Sequence, residues 1–367
     1  MARVFHYHLH ARPFDAVTNH MLALKSWLAE VGVQGEVLAH NIRGIDDQVK
    51  PFGSVELKKE DYLFIHHSQG NPELPAVLDS PAKKALVYHN VTPVKYFSHD
   101  AFTARLAKQG RDQLSLFKEK ASAFFAVSQF NAFEIEEWGL GPVKLLPLLN
   151  LKSSDVPRAE VRTRSTTKRL LFVGRIAPHK AQAELVKVLY YLKKESALDF
   201  RLALVGSQDP LYGRYVKSLA KALGIGNAVQ FHEKVDSVAL QKLYMESDAY
   251  LSLSRHEGFG VPLVEAIKFG VPVFSLWKSG VTETMGGAGV GFLTTKPHRV
   301  AEMVRQALLD EEILKAMLEG QREQWKHLCR FQDKKVAQRM ICRLIKKSVS
   351  EEQHGKHAHL DAPQPTV

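Results

Sequence analysis

Short apolar runs recur along this chain, each closing on polar residues and most leading into a stretch with apolar side chains at helical spacing. Runs that read as continuously apolar must be buried on both faces, which predicts a parallel sheet with helices above and below. The first lies near residues 4–9 and leads through the loop His10-Ala11-Arg12-Pro13-Phe14-Asp15 into a helix carrying Val17, Met21, Leu24 and Leu28, stopped by Gly32. Tyr62-Leu63-Phe64-Ile65 ends in His66-His67-Ser68, and Ala85-Leu86-Val87-Tyr88 ends in His89-Asn90-Val91-Thr92-Pro93. Ala123-Phe124-Phe125-Ala126-Val127 ends in Ser128, before a helix with Phe133, Ile135 and Trp138.

The same alternation starts again further on. Residues 152–168 are polar and charged, with Pro157 and a Thr/Arg/Lys cluster, and this composition shift marks a linker. Beyond it, Leu170-Leu171-Phe172-Val173-Gly174, Leu202-Ala203-Leu204-Val205-Gly206, Ala228-Val229-Gln230-Phe231, Ala249-Tyr250-Leu251-Ser252-Leu253 and Pro272-Val273-Phe274-Ser275 read as strands separated by helices. The expected fold class is α/β, with two Rossmann-like domains. The expected boundaries are 1–160, 161–330, a basic helix over 331–350 that packs back towards the N-terminal domain, and a disordered tail over 351–367. Helices are expected near 299–309 and 311–318, ahead of a long basic segment over 321–348.

Composition excludes several classes. No apolar run approaches the roughly 20 residues needed to span a bilayer, and the N-terminus lacks the apolar centre of a secretory signal. The two cysteines, Cys329 and Cys342, form neither a disulfide framework nor a four-ligand zinc set, so a reducing cytoplasm is expected. The formal charge of +11 calls for an anionic partner: a phosphate-bearing substrate or an anionic membrane surface. No basic run with interleaved aromatics suggests a nucleic-acid partner.

One motif concentrates chemistry. Ser254-Arg255-His256-Glu257-Gly258-Phe259-Gly260-Val261-Pro262-Leu263-Val264-Glu265-Ala266 sets a glycine turn and the start of a helix between two acids, with Glu265 expected in that helix's first turn. Backbone N–H groups there suit an anion, and carboxylates suit hydroxyl groups. The helix dipole alone also favours acids in such places. Gly174-Arg175 with Lys180 follows a buried strand, where two cations would neutralise a diphosphate; it also reads as a solvated basic loop. In parallel sheets ligands gather at the carboxyl ends of strands, which makes His66, His67, Ser68, His89, Asn90 and Thr92 expected neighbours in a cleft. Asp15, His66, His67, Asn90 and Thr92 are the acceptor-side candidates, and no metal ligand set is expected.

From about residue 1 to 345 the chain resembles the GT-B glycosyltransferases, specifically the family-4 group of retaining, nucleotide-sugar-dependent enzymes. Phe172-Val173-Gly174-Arg175 with Lys180, Leu204-Val205-Gly206 and Glu257-Gly258-Phe259-Gly260-Val261-Pro262 with Glu265 carry the resemblance. It implies two domains facing across a cleft, a nucleoside diphosphate sugar as donor and no required cofactor. It further implies that Arg175 and Lys180 hold the diphosphate and Glu265 the ribose. Glu257 would hold the sugar hydroxyls, and Gly174, Gly258, Phe259, Gly260 and Val261 would line the donor. The base would meet the segment around Lys234 and Val235, and His89 would stand beside the transferred sugar. The first loop lacks the paired glycines of many members.

The function expected on this resemblance is retaining transfer of a hexose to a hydroxyl of a glycan or lipid-linked acceptor, in polysaccharide or lipopolysaccharide synthesis. His89, Arg175, Lys180 and Glu257 would be the catalytic residues. A cytoplasmic protein in peripheral contact with the inner membrane face is expected, through lysines such as those of 334–347. A catalytically silent sugar-nucleotide-binding scaffold and a sugar-nucleotide epimerase stand as alternatives.

Overall fold

The computed structural model describes residues 2–98, 100–155 and 166–358. Seven strands build the first sheet: β1 (Val4–Ala11), β2 (Val37–Ile42), β3 (Lys50–Pro51), β4 (Tyr62–His67), β5 (Lys83–Tyr88), β6 (Ala121–Ala126) and β7 (Val143–Leu145). They lie parallel in the order β3-β2-β1-β4-β5-β6-β7. The second sheet is also all parallel, with β8 (Thr167–Val173), β9 (Asp199–Val205), β10 (Val229–His232), β11 (Ala249–Ser252), β12 (Val273–Leu276) and β13 (Val290–Phe292). Its order is β10-β9-β8-β11-β12-β13. Each sheet reverses its winding once, between β1 and β4 and between β8 and β11. These switch points open a crevice at the carboxyl ends of the strands.

Burial follows the apolar runs. Tyr62 to Ile65 and Ala85 to Tyr88 are buried throughout, as both faces carry helices. Along the helix Ala16–Ala29, Val17, Met21, Leu24 and Leu28 face the sheet, and Asp15 caps its start by accepting from the Thr18 amide at 2.9 Å. The expected linker falls partly on residues 156–165, which lie outside the described residues.

The C-terminal elements differ from expectation in their bounds. The helix expected to end near residue 318 continues as Glu311–Phe331, straight through Gly320. A mid-helix glycine costs about 1 kcal/mol against alanine. Tertiary anchoring by the next turn offsets that cost. The Gln321 side chain, fully buried, accepts from the Val273 amide and donates to the Val271 carbonyl, both at 2.9 Å, and Trp325 is buried completely. After Gln332 and Asp333 a last helix, Lys334–Ala358, crosses back to the first domain. There Gln338 donates to the Trp27 carbonyl at 2.6 Å, Lys334 pairs with Glu30 at 2.6 Å, and Ala337, Ile341 and Ile345 join the core beside Leu24 and Trp27. This helix continues into the expected disordered tail, so residues 351–358 have helical backbone; 359–367 lie outside the described residues.

The two domains touch through polar contacts around Asn90. Its backbone is left-handed, with φ of 76°, a conformation asparagine tolerates better than most residues. Its amide donates to Asn131 at 2.9 Å and to Glu134 at 2.7 Å, while its carbonyl oxygen accepts from His256 of the second domain at 2.6 Å. Ser128 donates to the Gly258 carbonyl at 2.6 Å, and Tyr96 to the Arg255 carbonyl at 3.0 Å. Glu283 accepts from the amides of Gln129 and Phe130, at 2.9 and 3.0 Å. That carboxylate sits at the N-terminus of the helix Gln129–Glu137, where the dipole favours it.

Candidate active site

The β8/β11 switch point gathers the second-domain candidates. Gly174 follows β8 with φ of 148°, and its carbonyl is so close to Gly206 that a Cβ there would sit 2.3 Å from it. Both strand ends therefore require glycine. Arg175 follows and is exposed; Lys180 closes a short 3₁₀ turn, Pro178–Lys180, with its Nζ 2.6 Å from Oε1 of Glu257. The partly buried pair brings the two motifs, 77 residues apart in sequence, into direct contact. The Glu257 amide donates to Ser279 Oγ at 3.0 Å, which fixes the backbone of the turn.

The helix after that turn is Val261–Lys268, capped by Gly260 at φ of 92°. Glu265 therefore lies in its second turn, not its first: Pro262 occupies the second helical position because the cap falls on Gly260. Glu265 is half-buried, and its Oε2 accepts from the Tyr244 hydroxyl at 2.8 Å. Burial raises its carboxyl above the usual range, opposed by the Tyr244 hydrogen bond. Phe259 is buried, and Val235, after β10, packs half-buried against the same core. Tyr244 carries no motif and sequence reasoning missed it; its one signal was a polar-tipped aromatic on the apolar face of a helix.

Gly258 faces the first domain. A Cβ there would lie 3.0 Å from Asn90 Cβ and 3.1 Å from the His89 carbonyl oxygen, so the donor-side turn and the end of β5 are in contact. The His89 backbone thus meets the turn that follows Glu257.

The first-domain candidates separate. His66 and His67 are neighbours in a strand, and neighbours in a strand project to opposite faces. His66 joins His89, their rings stacked with Nδ1 and Nε2 2.9 Å apart. His67 instead points under the other face, where its Nε2 donates to the Gly110 carbonyl at 2.6 Å beside Phe117. The expected grouping of His66 and His67 in one cleft is corrected by this alternation. Asp15 is occupied as a helix cap, and Thr92 is half-buried in the loop after β5.

Two further histidines, unmarked in the sequence reading, complete a cluster. His20 donates from Nε2 to the Pro147 carbonyl at 2.9 Å and turns Nδ1 towards His89 Nε2 at 3.4 Å. His6 Nδ1 lies 3.1 Å from His66 Nε2. Position 20 is three residues after Val17 and four before Leu24, which puts it on the buried helical face; that was the readable signal. Burial pushes His6 down to about 3 and His20 to about 4, and holds His66 and His89 well below the ordinary histidine value. His256 is lowered to about 4 by burial and then by Lys180.

Two parallel-sheet α/β domains whose strand ends face each other, with a paired lysine and glutamate on one side and a histidine on the other, define the GT-B architecture. Residues 154–324 match the profile of the family described as glycosyl transferases group 1. An uncharacterized glycosyltransferase of Haemophilus influenzae is 32% identical over 139 residues, 38% of each chain. The lipopolysaccharide glucosyltransferase WaaG of Escherichia coli is 24% identical over 235 residues, 62% of each chain. These matches span less than two thirds of the relatives' own lengths. The crystal structure of WaaG, a glycosyltransferase involved in lipopolysaccharide biosynthesis, superposes with a TM-score of 0.71 at 15% identity, over 92% of this chain and 99% of that one. Anabaena HepE in complex with UDP and glucose gives 0.71 at 15% identity, over 95% and 100%. Among the described residues, no helix is long and apolar enough to cross a membrane.

Proposed function

We infer that this chain is a glycosyltransferase that moves a hexose, with retention, from a nucleoside diphosphate sugar to a hydroxyl of a glycan or lipid-linked acceptor. The observation that carries the reading is the Lys180–Glu257 pair, which joins the loop after β8 to the turn after β11 at the switch point. HepE, similar in fold, holds UDP and glucose, which supports this class of donor.

The donor diphosphate would lie over Gly174, where the absent side chain admits phosphate oxygens, between Arg175 and Lys180. As the bond from the anomeric carbon to the phosphate oxygen breaks, negative charge gathers on the diphosphate, and the two cations stabilise it. Fixed charges aimed at developing charge are commonly the largest catalytic contribution. The acceptor hydroxyl forms the new bond on the face the phosphate leaves, and its proton passes to the departing phosphate oxygen. Glu257 would exchange Lys180 for sugar hydroxyls, and Glu265, with Oε2 held by Tyr244, would offer its other oxygen to the ribose. His89 positions the sugar.

Contact with an anionic membrane surface is part of the proposal. Lys335, Arg339, Arg343, Lys346 and Lys347 form an exposed stripe on the last helix, whose opposite face is packed. Cosedimentation with vesicles with and without anionic lipid tests it; equal binding to both would oppose it. The reaction itself is tested with nucleotide sugars in the presence of glycan and lipid-linked acceptors. Loss of the donor sugar to a new glycoside supports the reading. Recovery of an epimerised nucleotide sugar, or binding without turnover, would replace it with one of the two alternatives.

A further inference from the structure

We propose that His20, His66 and His89 form a binding site for one divalent transition-metal ion such as Zn²⁺, at the floor of the cleft. One nitrogen from each ring lies within 4.8 Å of the other two. His89 Nε2 is 2.9 Å from His66 Nδ1 and 3.4 Å from His20 Nδ1. Imidazoles bound tetrahedrally at about 2.0–2.1 Å would place their nitrogens about 3.3 Å apart, so small ring rotations convert the cluster into a three-histidine set.

Proton accounting leads to the same place. His20 must carry its proton on Nε2, because the partner there is the Pro147 carbonyl, and so it presents a lone pair at Nδ1. If His89 Nε2 bears a proton, it can serve only one of its two neighbours; if it does not, its lone pair faces that of His20 Nδ1. A cation satisfies all three nitrogens at once. It also sets the outer contacts: His66 with Nδ1 on the metal carries its proton on Nε2 and donates to His6 Nδ1 at 3.1 Å, as second partners of metal-bound histidines do. Burial keeps these rings neutral, the form that binds metal. With three protein ligands a fourth position stays open.

The site changes what His89 offers. With Nε2 on the metal, its proton resides on Nδ1, which becomes a donor to an oxygen of the bound sugar. That consequence rests on the proposed function; metal binding does not.

The test uses full-length, tag-free protein stripped with chelator. It carries His354→Ala, His357→Ala and His359→Ala, so that the histidine-bearing C-terminal segment contributes nothing. Titration with Co²⁺ is expected to give one equivalent per chain with the visible bands of a low-coordinate histidine site, displaced by Zn²⁺. His20→Gln and His66→Gln are each expected to weaken binding at least about a hundredfold. Since either substitution in the core risks misfolding, X-ray absorption on the unsubstituted cluster provides a second readout, with three imidazoles expected around bound Zn²⁺. No retained metal after dialysis, fewer than three imidazoles, or full affinity in folded His20→Gln protein would overturn the proposal.

Discussion

Lys180 and Glu257 are paired at 2.6 Å, and this pairing decides what their removal should do. If Lys180 meets the diphosphate mainly as charge develops, Lys180→Ala should slow transfer by about 100–1,000-fold while nucleotide affinity changes much less. A kcat and KM comparison reads this directly; a change confined to KM would make the lysine a simple binding group. Tyr244→Phe addresses the other acid. It removes one hydrogen bond to a half-buried carboxylate, worth about 1.5–3 kcal/mol, and leaves Glu265 free to turn from the ribose. Calorimetry should show nucleotide binding weakened roughly tenfold or more, and unchanged affinity would mean that Glu265 does not contact the nucleotide.

Elements were readable where one period ruled them. The continuous apolar runs gave the parallel strands, and the 3.6-residue spacing gave the helix of Val17, Met21, Leu24 and Leu28. The motif around Glu257 and the Gly174 turn were visible because strand ends in such sheets carry ligands. Three things were hidden because they depend on tertiary context. His66 and His67 part company only once the strand's faces are assigned. Tyr244 reaches Glu265 across two helices. The long helix survives Gly320 because Gln321 bonds two groups of a distant strand, which no local propensity reports. Gln321→Ala should therefore leave the Val273 amide and Val271 carbonyl unpaired in the core, costing about 2–5 kcal/mol in urea unfolding. A loss below 1 kcal/mol would show that the helix is held otherwise.

The two domains meet through polar contacts around Asn90, ring contacts of Tyr96, Phe97 and Phe130 with His179 and His256, and one returning helix. Glu283 bridges them by accepting two helix N-terminal amides. Glu283→Ala should weaken the contact between the domains by about 1.5–3 kcal/mol, seen as a larger radius of gyration in solution scattering. An unchanged radius would show that the other contacts hold the domains together. Acid should also unfold the molecule early. Buried histidines with folded values near 3 to 4 sit below the unfolded value of about 6.5, so between these limits the unfolded chain binds more protons. Their contribution to stability is complete above about pH 6.5 and is lost as pH falls through 4. In chelator-treated protein the loss should approach about 1.4 kcal/mol per pH unit for each histidine charged only on unfolding. A flat stability profile from pH 7 to 5 would contradict this burial.

The proposed donor chemistry sits at the β8/β11 switch point. The most direct measurement incubates wild type, Lys180→Ala and Glu265→Ala with radiolabelled UDP- and GDP-hexoses plus glycan and lipid-linked acceptors, and follows label and free nucleotide together. Wild type is expected to turn one donor over to free nucleoside diphosphate and a labelled glycoside. Lys180→Ala should be slowed by about 100–1,000-fold, and Glu265→Ala should need far more donor. Normal turnover in both variants would contradict this chemistry, as would a wild type that leaves every donor intact or returns it epimerised.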